Sequence, residues 1–321
     1  MRASPKIALL EIGTNSTKLL IARPHTTEIF HVCHFSRKTT RIGRRLTQTR
    51  RISKRGVDEN IDTIKAFATT IRQHRCQHVF AFATFAFRQA RNAKPVLSRL
   101  EKALDAPVKI LSGREEACFA YLSARVNLRL KNPLTVLADI GGGSTELIVA
   151  REGRVTHAKS LPIGALHLTE RFVRSDPIGE DDFLLLSNFV DNVCNQAVAV
   201  TGILGHKPDQ MDLVASGGTI GSLALVISGR AAFPKHDTSR GGPSRIAARE
   251  VRGFLNRCLE LPLEKRKRIR GLEPDRADII CAGLAIVTSI MKATGKRVVY
   301  PNRGGVREGA LVHLIQNGLR W

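Results

Sequence analysis

Two stretches of the chain show the same alternation of a short apolar run, a glycine turn and a second apolar run. They span residues 7–22 and 137–150, and an offset of 128 positions aligns seven identical residues. The matches are Leu9 with Leu137, Ile12 with Ile140, Gly13 with Gly141, Ser16 with Ser144, Thr17 with Thr145, Leu19 with Leu147 and Ala22 with Ala150. Self-similarity at an offset of a domain's length indicates a duplicated domain, and chance similarity between two glycine hairpins is the alternative.

Apolar periodicity predicts further elements in both halves. Helical spacing covers residues 58–74, 114–124, 181–203, 275–290 and 310–319. Strand-like runs cover residues 79–83, 108–111, 155–161, 211–215 and 298–300. We expect the helix that follows residue 84 to end before Pro95. Strands that alternate with helices indicate α/β layers in each half.

A basic connection with a proline, residues 128–133, separates the two halves. We therefore expect a first domain at 1–128 and a second at 129–304. The C-terminal helix, about residues 305–321, is expected to pack back on the first domain.

The net charge of the chain indicates what kind of partner it binds. Its 321 residues carry 51 Lys and Arg against 28 Asp and Glu, a formal charge of +23. Such an excess predicts a polyanionic partner, and nucleic acid, anionic lipid and polyphosphate all qualify. Residues 37–55 are the densest basic segment, read either as a polyanion track or as a solvated surface, and residues 263–270 are a second one.

The expected cellular location follows from the lack of secretory and membrane-spanning segments in the sequence. The chain has no signal-peptide apolar region and no apolar run of membrane-spanning length, and none of its six cysteines forms a CxxC pair. We expect a cytoplasmic protein with no membrane partner and no zinc site.

The glycine turns carry the candidate chemistry. Glycine amides in a tight turn form an anion-binding nest, and carboxylates beside it suit a hard cation on a phosphate. Asp139 and Glu146 flank the turn at Gly141–Gly143 in this way. Gly217 and Gly218 open a helix, whose first amides suit a phosphate. An ordinary structural turn is the alternative in each case.

Two consecutive carboxylates, Glu115 and Glu116, open another predicted helix, with Ser112 as its N-cap. Consecutive positions on a helix point about 100° apart. One carboxylate can therefore cap the helix while the other faces a ligand.

Eight segments together resemble the exopolyphosphatase / guanosine pentaphosphate phosphatase family, within the superfamily of actin, Hsp70 and sugar kinases. They are EIGTNSTKLLIA (11–22), FATFAFRQARNA (82–93), LSGREEA (111–117), LADIGGGSTELIVA (137–150), SLPIGALHLTERF (160–172), ASGGTIGSL (215–223), RADIICAGLAI (276–286) and RGGVREGAL (303–311). The resemblance implies an α/β fold of two duplicated actin-like (ribonuclease H-like) domains, each with a mixed central sheet, and a ligand in an interdomain cleft. It also implies a homodimer.

The resemblance further implies roles for individual residues. Glu116 matches the general base that activates water. Asp139 and Glu146 match metal-site carboxylates for Mg²⁺ or Mn²⁺, and Glu11 is a third candidate ligand that stands where Asp is usual. The implied substrate-binding residues are Thr14, Asn15, Ser16, Arg88, Gly141, Gly142, Gly143, Ser144, Thr145, Gly217, Gly218 and Thr219.

These observations predict a metal-dependent exopolyphosphatase that removes the terminal phosphate of inorganic polyphosphate. A guanosine pentaphosphate 5′-phosphohydrolase, with guanosine penta- or tetraphosphate as ligand and a place in the stringent response, is the first alternative. With one Trp and two Tyr the chain shows no base-stacking motif, which favours polyphosphate. An ATP-dependent kinase of the superfamily and a non-catalytic polyanion- or RNA-binding protein are further alternatives. The motif around Glu116 argues against the kinase, and the retained Glu116, Asp139 and Glu146 argue against a non-catalytic protein, so nucleic acid is not the expected partner.

Overall fold

The computed structural model describes residues 4–128, 130, 132–231 and 245–321. The chain forms two compact units. Unit 1 comprises Met1–Leu122 and Val306–Trp321, and unit 2 comprises Ser123–Gly305. The expected domain boundary at 128/129 lies a few residues beyond this division. Residues 232–244, within a basic loop expected at 230–249, and residues 129 and 131 of the basic connection lie outside the described residues.

Unit 1 is built on one five-stranded mixed sheet in the order β3-β2-β1-β4-β5. Its strands are β1 (Ile7–Ile12), β2 (Ser16–Pro24), β3 (Phe30–Thr39), β4 (His78–Ala83) and β5 (Lys109–Ile110). Its helices are α1 (Leu46–Thr49), α2 (Lys54–Gln73), α3 (Phe85–Gln89), α4 (Ala93–Leu104), α5 (Gly113–Asn127), whose last turn belongs to unit 2, and α12 (Val306–Gln316). The C-terminal helix α12 packs against β1.

Unit 2 contains a six-stranded sheet in the order β10-β11-β9-β6-β7-β8. Its strands are β6 (Leu134–Ile140), β7 (Thr145–Arg151), β8 (Arg154–Leu161), β9 (Met211–Gly217), β10 (Ile246–Ala247) and β11 (Val298–Pro301). Its helices are α6 (Ala165–Phe172), α7 (Glu180–Ala199), α8 (Gly218–Ile227), α9 (Ala248–Glu260), α10 (Leu263–Arg266) and α11 (Ile280–Ala293), with short 3₁₀ turns at Pro208–Gln210 and Pro274–Arg276.

The central strands explain the apolar runs of the sequence. All seven residues of β6 are buried, and so are five of the six residues of β1. A strand covered on both faces has to be apolar on both faces, which is why neither run alternates. The fold class predicted from the sequence, α/β with a mixed sheet in each of two duplicated halves, is confirmed.

The duplication extends to the details of the two hairpins. In β1–β2 Glu11 lies opposite Lys18, and 128 positions later in β6–β7 Asp139 lies opposite Glu146. The next strand pairing shifts register between Ile21 and Ala22 in unit 1, and at the equivalent Val149 and Ala150 in unit 2. Chance similarity between two glycine turns would not reproduce both the pairing and the irregularity.

The helix that follows residue 84 ends before Pro95 as predicted, since α3 ends at Gln89. Pro95 itself lies in the first turn of α4, where proline is tolerated because its missing N–H has no helical partner. In the basic segment of residues 37–55, Arg37 and Lys38 belong to strand β3, and residues 40–45 and 50–53 lie between the regular elements. Within the described residues, no helix is long and apolar enough to cross a membrane.

Candidate active site

A row of four polar side chains crosses the sheet of unit 2. Ser216 of β9, Asp139 of β6, Glu146 of β7 and Ser160 of β8 lie side by side in register. The Ser216 hydroxyl donates to Asp139 Oδ1, and the Ser160 hydroxyl donates to Glu146 Oε1 at 2.7 Å. Both carboxylates are more than nine-tenths buried. Buried carboxylates are stable only when hydrogen-bonded or bound to a cation, and here hydroxyls supply part of that support.

The glycine turn between β6 and β7 is held by its own backbone and by helix α6. The Gly141 amide donates to the Ser144 carbonyl at 2.9 Å. The first amides of α6 donate to the carbonyls of Gly141 and Gly142. A Cβ on Gly164 would lie 2.5 Å from Gly142 backbone atoms, so only glycine allows this approach. These bonds fix the carbonyls, while the Gly142 and Gly143 amides donate to no acceptor among the described residues.

Ser144 and Thr145 have different surroundings although they are neighbours. The Ser144 hydroxyl donates to Glu146 Oε1 at 2.9 Å and so belongs to the polar row. Thr145 is fully buried and donates to the Ile163 carbonyl at 2.7 Å. The equivalent Thr17 of unit 1 likewise donates inward, to Asn60. The geometry therefore gives the Thr145 hydroxyl a structural bond, and its implied phosphate contact stays a prediction.

The third glycine turn follows β9 at the same end of the sheet. Gly217 has φ +97°, and a Cβ there would meet the Ile140 carbonyl oxygen at 2.2 Å. A Cβ on Gly218 would meet the Arg276 guanidinium at 1.9–2.2 Å. Thr219 is buried against Gly283 of α11. The turn thus brings a guanidinium to the start of α8, a contact that the sequence alone did not reveal.

The end of β11 completes this edge of unit 2. Asn302 donates its amide to the Ala215 carbonyl at 2.8 Å. A Cβ on Gly305 would lie 3.7 Å from Asp139 Oδ1, which places this glycine beside the carboxylate. The carboxyl ends of β6, β9 and β11 therefore meet, as they do where open α/β sheets bind ligands.

In unit 1 the two consecutive carboxylates of α5 divide their roles. Glu115 Oε2 accepts from the Ser112 amide and hydroxyl at 2.8 Å, and Ser112 Oγ accepts from the Glu115 amide. This is a capping box, which satisfies helix amides that lack partners. Glu116 is buried instead and accepts from Arg88 at 2.9 Å. Arg88 also donates to the Leu111 carbonyl at 2.8 Å, so the guanidinium holds Glu116 in place.

The hairpin turn of unit 1 repeats the one in unit 2. The Gly13 amide donates to the Ser16 carbonyl at 3.1 Å. Asn15 is only 6% exposed, and neither its side-chain oxygen nor its nitrogen has a hydrogen-bond partner among the described residues. An unsatisfied buried amide costs free energy, which a polar ligand would recover. Thr14 and Ser16 are buried on either side of it.

Glu11 has cationic neighbours rather than acidic ones. Its Oε1 accepts from Lys18 at 2.7 Å, and Arg307 lies 3.9 Å from its Oε2. Two cations beside one carboxylate oppose a third, so the geometry argues against Glu11 as a metal ligand. The sequence could not show this, because Lys18 meets Glu11 only through the register of the hairpin.

Comparison with known proteins decides the family. The sequence profile described as the Ppx/GppA phosphatase family matches residues 20–317. The chain belongs to this family. Its class as a phosphate-releasing hydrolase, expected from the sequence, is thereby confirmed.

Named relatives and solved structures of the Ppx/GppA family extend the match. Exopolyphosphatase 1 of Mycobacterium leprae is 27% identical over 97% of this chain and 90% of the relative, and that of Mycobacterium tuberculosis is 28% identical over 97% and 89%. The crystal structure of the Aquifex aeolicus Ppx/GppA family member is 26% identical, with TM-score 0.78 and 99% of both chains covered. An exopolyphosphatase from Cytophaga hutchinsonii shares the fold, with TM-score 0.85, 22% identity and 98% and 99% coverage.

The chemistry of the donor set in unit 2 fits a hard cation. Asp139 and Glu146 offer carboxylate oxygens, and Mg²⁺ typically takes one or two carboxylates and completes its shell with water and substrate phosphate. No cluster of three or more acidic, histidine or cysteine side chains suited to a metal occurs in the described part of the chain. A Ppx/GppA site of this kind would need phosphate oxygens as further ligands.

Proposed function

We propose that this Ppx/GppA family member is an exopolyphosphatase that hydrolyses the terminal phosphoanhydride bond of inorganic polyphosphate in the presence of Mg²⁺ or Mn²⁺. The observation that carries the proposal is the pair of buried carboxylates, Asp139 and Glu146, beside the unbonded amides of Gly142 and Gly143. This set can hold a cation and a phosphate together. The mycobacterial relatives named exopolyphosphatases support the choice of substrate.

Each group has one task in this reaction. Asp139 and Glu146 would hold the divalent cation, which when bound would supply positive charge to neutralise the phosphate oxygens. The Gly142 and Gly143 amides donate to phosphate oxygens. Glu116 accepts a proton from the attacking water, and Arg88 orients its carboxylate through a hydrogen bond. The reaction is largely positioning and electrostatics, so small displacements of these groups are costly.

The basic segment of residues 37–55 favours a long polyanion as substrate. Its backbone is bonded to the phosphate-loop candidates: the Arg41 amide donates to the Asn15 carbonyl and the Gly43 amide to the Thr14 carbonyl, both at 3.0 Å. A Cβ on Gly43 would lie 2.2 Å from Thr14 Cγ2, so the contact requires glycine. Cationic side chains thus continue directly from the turn that we assign to phosphate.

The backbone conformation of residues 37–55 also favours a long polyanion as substrate. Arg41, Arg45 and Arg50 all have positive φ, between 45° and 55°. Glycine adopts this region without strain, whereas other residues pay about 1–2 kcal/mol for it. Arginine at three such positions is consistent with selection for the guanidinium rather than for the turn.

We expect Arg45→Gly and Arg50→Gly to weaken binding of long polyphosphate while leaving the protein folded. Both side chains are exposed, and relief of the left-handed strain offsets the added flexibility of glycine, so the free energy of unfolding should stay within about 1 kcal/mol. Each lost contact should lower the slope of log Kd against log salt by about 0.7–0.9, by analogy with nucleic acids. Fluorescence titration with chains of different length measures both effects.

Arg75→Gly is the matched control, because Arg75 is also exposed with φ 53° but lies near the amino end of β4. It should bind long chains like the parent protein. If Arg45→Gly and Arg50→Gly weaken short and long chains equally, the track lies elsewhere, and residues 263–270 are then the next candidates.

Asp139→Asn should raise the Mg²⁺ concentration needed for half-maximal activity and lower kcat by about 100-fold or more, since metal charge stabilisation is worth several kcal/mol and about 1.4 kcal/mol is tenfold. EDTA should abolish activity, and added Mg²⁺ should restore it. Mn²⁺ binding followed by electron paramagnetic resonance gives a readout independent of turnover.

Asp212→Asn provides the control for this change. Asp212 is a buried carboxylate of β9 near its amino end, bonded to Asn132 at 2.9–3.0 Å. This substitution should cost stability but leave the Mg²⁺ dependence unaltered. Equal shifts in both variants would remove Asp139 as a ligand.

The substrate is tested by measuring phosphate release from long-chain polyphosphate and from guanosine pentaphosphate at matched salt. We expect a higher kcat/KM for polyphosphate, and a falling value as salt rises. A higher kcat/KM for guanosine pentaphosphate would overturn the substrate assignment. Binding of polyphosphate without release, with Mg²⁺ present, would favour a non-catalytic role.

A further inference from the structure

Unit 2 contains a second cationic site that the catalytic scheme does not use. A cavity of about 730 Å³ lies where β10 and the start of α9 meet the amino end of β11. Four arginines line it, together with one carboxylate and three small aliphatic residues. The arginines are Arg245, Arg249, Arg252 and Arg297. We call this set the arginine pocket.

The arginine pocket is separate from the catalytic residues of unit 2. The phosphate and metal candidates follow the carboxyl ends of β6, β9 and β11, whereas the pocket lies before Val298 at the amino end of β11. The strand has four residues, so its two ends are roughly 10 Å apart. A ligand in the pocket would not occupy the place of the scissile phosphate.

The backbone around the arginine pocket is well fixed. Ala247 pairs with Val298 across β10 and β11, and the Ala248 amide donates to the Arg297 carbonyl at 2.9 Å. Glu250 Oε2 accepts from the Ala247 amide at 2.7 Å, which closes the first turn of α9. The only acidic side chain of the lining therefore has a structural bond of its own.

All four arginines of the pocket are exposed, and no carboxylate oxygen of the described residues lies within 4.0 Å of any of their guanidiniums. Like charges that line one cavity repel one another where they lie within a Debye length of about 8–10 Å. The positive end of the α9 dipole adds to the same potential. Such an arrangement is relieved by a bound anion that carries several charges.

The volume and the lining residues of the arginine pocket indicate which kind of anion it binds. Sites for small molecules occupy about 300–1,000 Å³, so this cavity holds more than one phosphoryl group. Single-stranded nucleic acid sites add aromatic side chains on which bases stack, and the pocket lining has none. Arginine forks match phosphate oxygens in pairs. We propose that the arginine pocket is a second anion site that binds a linear chain of three or more phosphoryl groups.

Two sources could supply that chain: an internal part of a long polyphosphate substrate, or a separate oligophosphate. The first rests on the proposed function, whereas binding itself does not. Binding is therefore measured without turnover, by calorimetric titration of tripolyphosphate into Glu116→Gln protein. Arg249→Gln/Arg252→Gln should lose one binding site and lower the salt slope of the remaining binding by roughly 1–2.

The control is Arg154→Gln/Arg257→Gln, which removes the same charge from exposed positions outside the pocket. It should retain every site of the parent. If the pocket variant titrates like this control, the proposal is wrong. A single-stranded oligonucleotide that displaces tripolyphosphate from the pocket at lower concentration would overturn the ligand class.

Whether the pocket binds part of the polyphosphate substrate or a separate oligophosphate is then determined from KM, measured in protein with Glu116 intact. If the pocket holds the substrate's own chain, Arg249→Gln/Arg252→Gln should raise KM several-fold for long polyphosphate and much less for tripolyphosphate, relative to the control variant. If it holds a separate oligophosphate, the binding site is lost while KM for long chains matches that of the control. Either result supports the pocket as a phosphate-chain site.

Discussion

Glu116→Gln should lower kcat for phosphate release by about 10²–10⁴-fold, the usual contribution of a general base. KM should change little, because the carboxylate acts on water and does not hold the phosphate chain. Glutamine has the same shape and can still accept the Arg88 hydrogen bond, so the fold around α5 should persist. Steady-state phosphate release with saturating Mg²⁺ measures the effect. Unchanged kcat would remove Glu116 as the base.

Glu115→Gln is the control, because it makes the same replacement of a carboxylate by an amide at the adjacent residue. Glu115 caps α5 and pairs with Lys109 at 2.8 Å, so the variant should lose stability and keep its kcat. Burial opposes ionisation of Glu115, but the bonds from Lys109 and Ser112 outweigh it and lower its pKa. Its contribution to stability is therefore present above the ordinary carboxylate pKa and is lost as pH falls through the lowered value.

The two hairpins show how a duplicated element can acquire different chemistry. Position for position, Lys18 in unit 1 corresponds to Glu146 in unit 2, and Glu11 corresponds to Asp139. Unit 1 therefore has an ion pair across its hairpin, whereas unit 2 has two carboxylates. The ion pair is neutral without a ligand, but the two carboxylates need a cation or donors. This difference explains why we place the cation in unit 2 alone.

The repeat was visible in the sequence because the residues that it preserves are those that the hairpin requires. Gly13 and Gly141 are each constrained by a carbonyl 2.9–3.0 Å from where their Cβ would lie, so both copies kept glycine. Hairpin register, by contrast, is fixed by pairing between strands. The partner of Glu11 could therefore not be read from the linear order of residues.

Other features of the site depend on contacts between residues distant in sequence. Arg276 lies over Gly218, and Gly164 lies against Gly142, although 58 and 22 positions separate the members of each pair. The segments that contain Arg276 and Gly164 were recognised from family resemblance, but their contacts were not. Thr145 shows a further limit: the sequence could not reveal that its hydroxyl donates to the Ile163 carbonyl, and its implied phosphate contact stays a prediction.

Gly309→Ala should destabilise unit 1 by about 3 kcal/mol, the upper end of the usual cost of overpacking. Gly309 is a buried residue of α12, and a Cβ there would lie 1.7 Å from the Phe119 carbonyl oxygen of α5. Backbone atoms cannot move aside as the end of a flexible side chain can, so the two helices would have to separate. Thermal and urea unfolding measure the loss.

Gly253→Ala is the control for this substitution, because nothing lies within 4 Å of the added Cβ in helix α9. Alanine should stabilise that helix by up to about 1 kcal/mol, so the two variants should shift in opposite directions. The functional consequence follows from Glu116, which lies three residues before Phe119 on α5. Separation of α12 from α5 would displace this carboxylate. Activity should therefore fall in Gly309→Ala even at temperatures where the protein remains folded, and equal stability of the two variants would contradict the close helix contact.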